Sequence, residues 1–79
     1  MHKREREIYN FIVDYITEHC YPPTVREICA AVGVRSTSTV HADLHNMIEH
    51  GYLETDNEDI SGKSRAIRVP GYKLVRVSN

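Results

Sequence analysis

Between Arg35 and His45 the chain places small or hydrogen-bonding side chains almost without interruption: Arg35, Ser36, Thr37, Ser38, Thr39, His41, Ala42 and His45. Serine donates to or accepts from the edges of nucleic-acid bases, and histidine reaches N7 or O6 of guanine. The methyl groups of threonine and alanine pack on the C5-methyl of thymine. Hydroxyls in succession at a helix start are poor for helix propensity but good for capping and for phosphate and base contacts. Arg35, just before them, can reach a phosphate. At 100° per residue Ser38, Ala42 and His45 point away from the apolar stripe of their helix, with Thr39 and His41 off to one side. A lone helix with such a face is most often merely solvated. The run of Ser36, Thr37, Ser38 and Thr39 argues here for entry into a major groove ~12 Å wide, which bulky or acidic groups would block.

A second group of cations lies further on. Lys63, Arg65 and Arg68 read as part of a returning strand, where they could hold flanking phosphates. With Z such contacts, affinity falls with salt at a log-log slope of about −0.9Z. The intervening acidic turn, Asp56-Asn57-Glu58-Asp59, must point away from a duplex.

Other chemistries find less support. His41 and His45 have the i, i+4 spacing of a metal pair, but Cys20 and Cys29 are too far apart for a zinc knuckle, and Cys29 belongs to an apolar stripe. No nucleophile with a paired base, glycine-rich phosphate loop or pair of carboxylates in a cleft stands out, so the chain is read as neither an enzyme nor a cofactor or metal binder.

The elements that position the polar run follow from hydrophobic periodicity. Ile8, Phe11, Ile12, Tyr15 and Ile16 predict a first amphipathic helix from about Arg4 to His19, stopped by Tyr21-Pro22-Pro23. Thr24 stands three residues before Glu27, the capping-box spacing. A short second helix carrying Val25, Ile28, Cys29 and Val32 follows and closes at Gly33. After a connection of Val34 to Thr37 at most, Val40, Leu44, Met47 and Ile48 predict a third helix that ends at Gly51. Tyr52 to Thr55 and Ser64 to Val69 read as strands around a turn containing Gly62. The expected fold is mostly α with a small β-hairpin: a three-helix winged helix-turn-helix over residues 1–70, with residues 71–79 an extra strand or tail.

The 79 residues suffice for one small core, and 41% hydrophobic with 27% charged residues is globular rather than disordered composition. No apolar stretch approaches a membrane span and the charged N-terminus has no secretory core behind it. The expectation is a cytoplasmic protein with both cysteines reduced, Cys20 and Cys29 alike serving packing. The net charge of −1 is unusual for a nucleic-acid binder. Its distribution is polarised, however: Glu49, Glu54, Asp56, Glu58 and Asp59 precede Lys63, Arg65, Arg68, Lys73 and Arg76.

The run from Tyr21 to Glu54, YPPTVREICAAVGVRSTSTVHADLHNMIEHGYLE, resembles the DNA-binding domain of LexA-type repressors. Pro22-Pro23-Thr24, Arg26-Glu27-Ile28, Gly33, Ser36 and Gly51-Tyr52-Leu53 fall in that family's order and spacing, and a looser likeness covers roughly residues 4 to 69. The resemblance implies a transcriptional repressor, with SOS-type regulation possible, reading bases through Ser36, Ser38, Thr39, His41 and Ala42. The family usually carries acidic or asparagine side chains at some of these positions. Its members continue into a self-cleaving domain with a serine-lysine dyad, through which they dimerise, and these 79 residues contain neither.

A domain this small makes few phosphate contacts. The expected partner is therefore double-stranded DNA at a palindromic operator bound by a homodimer, without membrane or small-molecule substrate. The competing reading is a winged helix used for protein contact, which the near-neutral charge and five tyrosines allow; Tyr9 and Tyr52 are expected to be partly buried.

Overall fold

The computed structural model describes residues 1–55 and 65–71. Three helices, α1 (Lys3–His19), α2 (Val25–Val32) and α3 (Thr37–Glu49), precede two short strands, β1 (Glu54–Thr55) and β2 (Ile67–Arg68). The strands pair antiparallel, with Glu54 opposite Arg68 and Thr55 opposite Ile67. The expected turn with Lys63, and the tail beyond Gly71, lie outside the described residues.

The first helix begins slightly earlier than its apolar period suggests, because His2 caps it. The His2 Nδ1 accepts from the Glu5 backbone amide at 3.3 Å, and the Glu5 carboxylate accepts from the His2 amide at 3.3 Å. The helix ends at His19, as expected, but Cys20 does not pack as the sequence suggests. Cys20 adopts φ 64°, and its N–H closes the helix on Ile16. Ile8, Ile12 and Ile16 lead at steps of four toward Cys20, so a continuing helix would pack it. The left-handed turn instead carries Cys20 off the stripe, and it is exposed.

The second helix starts as its sequence spacing predicts. The Thr24 hydroxyl accepts from the Glu27 amide at 3.1 Å, and Glu27 Oε1 accepts from the Thr24 amide at 2.8 Å. At the far end of α3, Gly51 takes φ 83°. Its N–H bonds to Ile48 O at 3.0 Å and the Tyr52 N–H reaches Met47 O at 2.9 Å, the paired bonds of a Schellman stop.

Ile8, Ile12, Val25, Ile28, Val40, Leu44 and Met47 are inaccessible to solvent where the three helices meet, and Leu53, Ile67 and Val69 close the core from the hairpin. The strands are shorter than the expected 52–55 and 64–69. The Tyr52 and Leu53 amides are spent on Met47 O, which keeps them out of the ladder. Tyr52, at 41% exposure, is also more open than expected, whereas Tyr9 is half-buried.

Candidate nucleic-acid interface

Acidic residues decide how α3 sits. Glu5 and Asp43 are buried beside the apolar stripes of α1 and α3. The Arg4 guanidinium forks onto Asp43, its Nε toward Oδ2 and its Nη2 3.1 Å from Oδ1. Asn46 donates to Glu5 Oε2 at 2.6 Å. These bonds tie one side of α3, carrying Asp43 and Asn46 at i, i+3, to the first turn of α1. Each holds its carboxylate below the ordinary range: the Asn46 amide for Glu5 and the Arg4 guanidinium for Asp43, both against burial. Neither acid was singled out from sequence. The clue was present, since Glu5 stands three residues before Ile8 and Asp43 three after Val40, so each falls on a core stripe.

With that face locked, α3 turns its opposite side outward. Arg35, Ser36, Thr37, Ser38, Ala42 and His45 are exposed, and Thr39 and His41 lie half-buried at the shoulders. The His41 and His45 rings stand one turn apart, 6.5 Å between centroids. Ser36 occupies the N-cap position without a side-chain capping bond, and no acid lies in the first turn of the helix. The leading amides of α3 therefore keep their partial positive charge. The structure thus brings these eight side chains onto one end and one face of α3. Lys63 lies outside the described residues.

Arg65 is placed differently from the sequence reading. It precedes β2 instead of lying within it. Its Nη1 donates to Glu27 Oε1 at 2.9 Å and to Pro22 O at 2.8 Å. Its guanidinium also lies 4.7 Å from the Tyr21 ring centroid. An internal ion pair thus occupies a cation expected to face phosphate. Glu27 is held down to about 2, chiefly by the Thr24 amide hydrogen bond, with Arg65 and the Tyr15 hydroxyl adding to it. Arg68 pairs with Glu54 across the hairpin at 3.7 Å.

One group among the described residues, His2, Glu5 and Asp43, has the ligand types for a metal ion. Its hydrogen bonding opposes that use. With Nδ1 accepting from the Glu5 amide, the His2 Nε2 carries the proton and faces the two carboxylates, so a metal at Nε2 would require the other tautomer and break the cap. Arg4 already neutralises Asp43. Both cysteines are free, and burial pushes the Cys29 thiol up, leaving it protonated and inert. No helix among the described residues is long and apolar enough to cross a membrane.

Three helices with an outward polar face on the third, closed by an antiparallel hairpin, define a winged helix-turn-helix of the DNA-binding class. The LexA DNA binding domain family model matches residues 1–66, and the chain belongs to that family. It is 48% identical over 66 residues to the LexA repressor of Clostridium kluyveri, covering 84% of this chain and 31% of that protein. The LexA repressor of Clostridium botulinum is 47% identical over 66 residues, with the same coverage. That of Limosilactobacillus reuteri is 44% identical over 66 residues, 84% of this chain and 30% of the relative. The chain therefore spans about a third of the length of these curated relatives.

Proposed function

We propose that this chain binds double-stranded DNA sequence-specifically through α3 and acts in the cytoplasm as a transcriptional repressor of the LexA kind. The observation that carries the reading is the open face of α3. Ser38, Thr39, His41, Ala42 and His45 make no side-chain hydrogen bond within the described residues, while Asp43 on the reverse side is clamped to α1. Groups unspent in the free protein are available to base edges, and a helix locked from behind holds its register in the groove. Arg35, Ser36 and Thr37, with the uncapped amides of α3, suit the neighbouring phosphates. Lys63, which lies outside the described residues, is proposed as a further phosphate contact. The role of these residues is binding, not catalysis.

The binding unit is residues 1–70, with residues 71–79 a further strand or tail. One copy makes few phosphate contacts, so useful affinity requires two copies on a palindrome whose half-sites lie about 34 Å apart or a multiple of that. An SOS-type response is the regulation this reading proposes, on the likeness to LexA repressors.

Selection of binding sites from random duplex DNA tests this, with a Ser38→Ala/His41→Ala double variant alongside. The expected result is an enriched palindrome that the variant no longer selects. Absence of enrichment, or enrichment indifferent to the substitutions, would transfer the function to protein contact.

A further inference from the structure

We propose that Arg65 positions the wing by locking it onto the start of the helix-turn-helix through Glu27, and is not itself a DNA ligand. The proposal rests on the DNA-binding reading above. Arg65 stands two residues before β2, where the chain enters the returning strand. From there its guanidinium gathers three separate segments. It reaches the Tyr15 hydroxyl on α1 at 3.3 Å, the Pro22 carbonyl in the α1–α2 connection at 2.8 Å, and both Glu27 oxygens on α2 at 2.9 and 3.4 Å. It also stacks near Tyr21 and Tyr15, with centroids 4.7 and 5.9 Å away.

The hairpin needs such a tie. Among the described residues its ladder is two residue pairs long, and an isolated two-stranded hairpin is marginal in water. Burial of Ile67 and Val69 holds the strand against the core, but apolar burial has little directionality. A forked, stacked guanidinium supplies direction, because its planar donors match a carboxylate and a ring face at fixed angles. Glu27 receives that fork while also closing the Thr24 capping box. The residue that starts α2 thereby also orients the wing. Turning Arg65 toward a phosphate would strip the Glu27 carboxylate and the Pro22 carbonyl of this partner.

The test compares Arg65→Met, Arg65→Lys, Glu27→Gln and the Glu27→Gln/Arg65→Met double variant. Glutamine preserves the capping box, so Glu27→Gln keeps α2 while removing the charge. In the free protein, the amides of Ile67 and Arg68 are expected to exchange about tenfold faster in Arg65→Met and about threefold faster in Glu27→Gln, with the core amides of α1 and α3 unchanged. Lysine keeps the charge but neither fork nor stack, and should behave like methionine. On the selected operator, Arg65→Met weakens binding about tenfold and Glu27→Gln about threefold, and the double variant is no weaker than Arg65→Met.

A phosphate ligand would behave differently. Glu27→Gln would free it and bind as tightly as the parent or tighter, Arg65→Lys would retain most affinity, and Arg65→Met would make the salt slope shallower by about 0.9. That pattern overturns the proposal, as do unchanged exchange rates in all variants, or faster exchange with unchanged DNA affinity. If the parent selects no DNA, the functional reading fails along with the claim that Arg65 positions DNA contacts, while the exchange rates still report separately whether the tie orders the hairpin.

Discussion

Asp43 on α3 lies in the guanidinium fork of Arg4 on the first turn of α1, with Nη2 3.1 Å from Oδ1. The pair links the helix that faces outward to the N-terminal end of the chain. Replacing Asp43 by asparagine keeps the shape but removes the charge and turns a donor toward a donor. Loss of a charge-assisted bond at this buried acid should lower stability by about 1–3 kcal/mol. Urea denaturation checks this, and a change below about 0.5 kcal/mol would mean the fork does not hold α3.

Gly51 reports a purely backbone requirement. Its φ is 83°, and a Cβ added there would meet nothing within 4 Å. Gly51→Ala should therefore cost about 1 kcal/mol from left-handed strain alone, with no steric addition. Gly33, at φ 74° and equally open, should match it. A much larger loss at either glycine in thermal unfolding would expose a contact that the backbone argument lacks.

Acid should unfold the domain through three carboxylates. Glu27 is lowered from its unfolded value of 4.5 to about 2, and Glu5 and Asp43 are also lowered. A depressed folded-state value means that the unfolded chain binds protons first as pH falls. The stabilisation from Glu27 is thus complete above about 4.5 and lost as pH drops toward about 2. Glu27→Gln should flatten the stability curve in that window and leave its neutral-pH shape unchanged. Glu27 is partly exposed and water screens its ion pair, so circular dichroism should show a changed curve shape with only a small change in depth.

The open face of α3 makes a prediction of opposite character. Ser38→Ala/His41→Ala should leave unfolding free energy within about 0.5 kcal/mol of the parent, because these side chains hold no hydrogen bond among the described residues. Affinity for the selected operator should fall at least tenfold, on the order of the 1–3 kcal/mol that a good base contact supplies. Binding titrations and melting curves on the same samples separate the two effects.

Local pattern carried the helices well. The second helix was legible because Thr24 and Glu27 sit three residues apart and their reciprocal bonds involve only neighbouring backbone. Gly51 was legible for the same reason, as was the polar side of α3. Histidine capping by His2 and the left-handed Cys20 escaped notice, since neither residue type is usual at its position. The strands were over-extended because alternation cannot reveal that the Tyr52 and Leu53 amides are already claimed by Met47.

By itself, the sequence determined where the helices start and stop and which side of each is apolar, because periodicity and caps act over three or four residues. It also determined the family, through motifs spaced along one continuous run. Only the tertiary structure decided which charges are spent. Arg65 reads as one more exposed cation until folding brings it to Glu27, 38 residues away, and Arg4 likewise until it meets Asp43 across 39. A side chain's local sequence sets what it can bond to; the partner it finds depends on how the helices pack, and no short-range pattern records that.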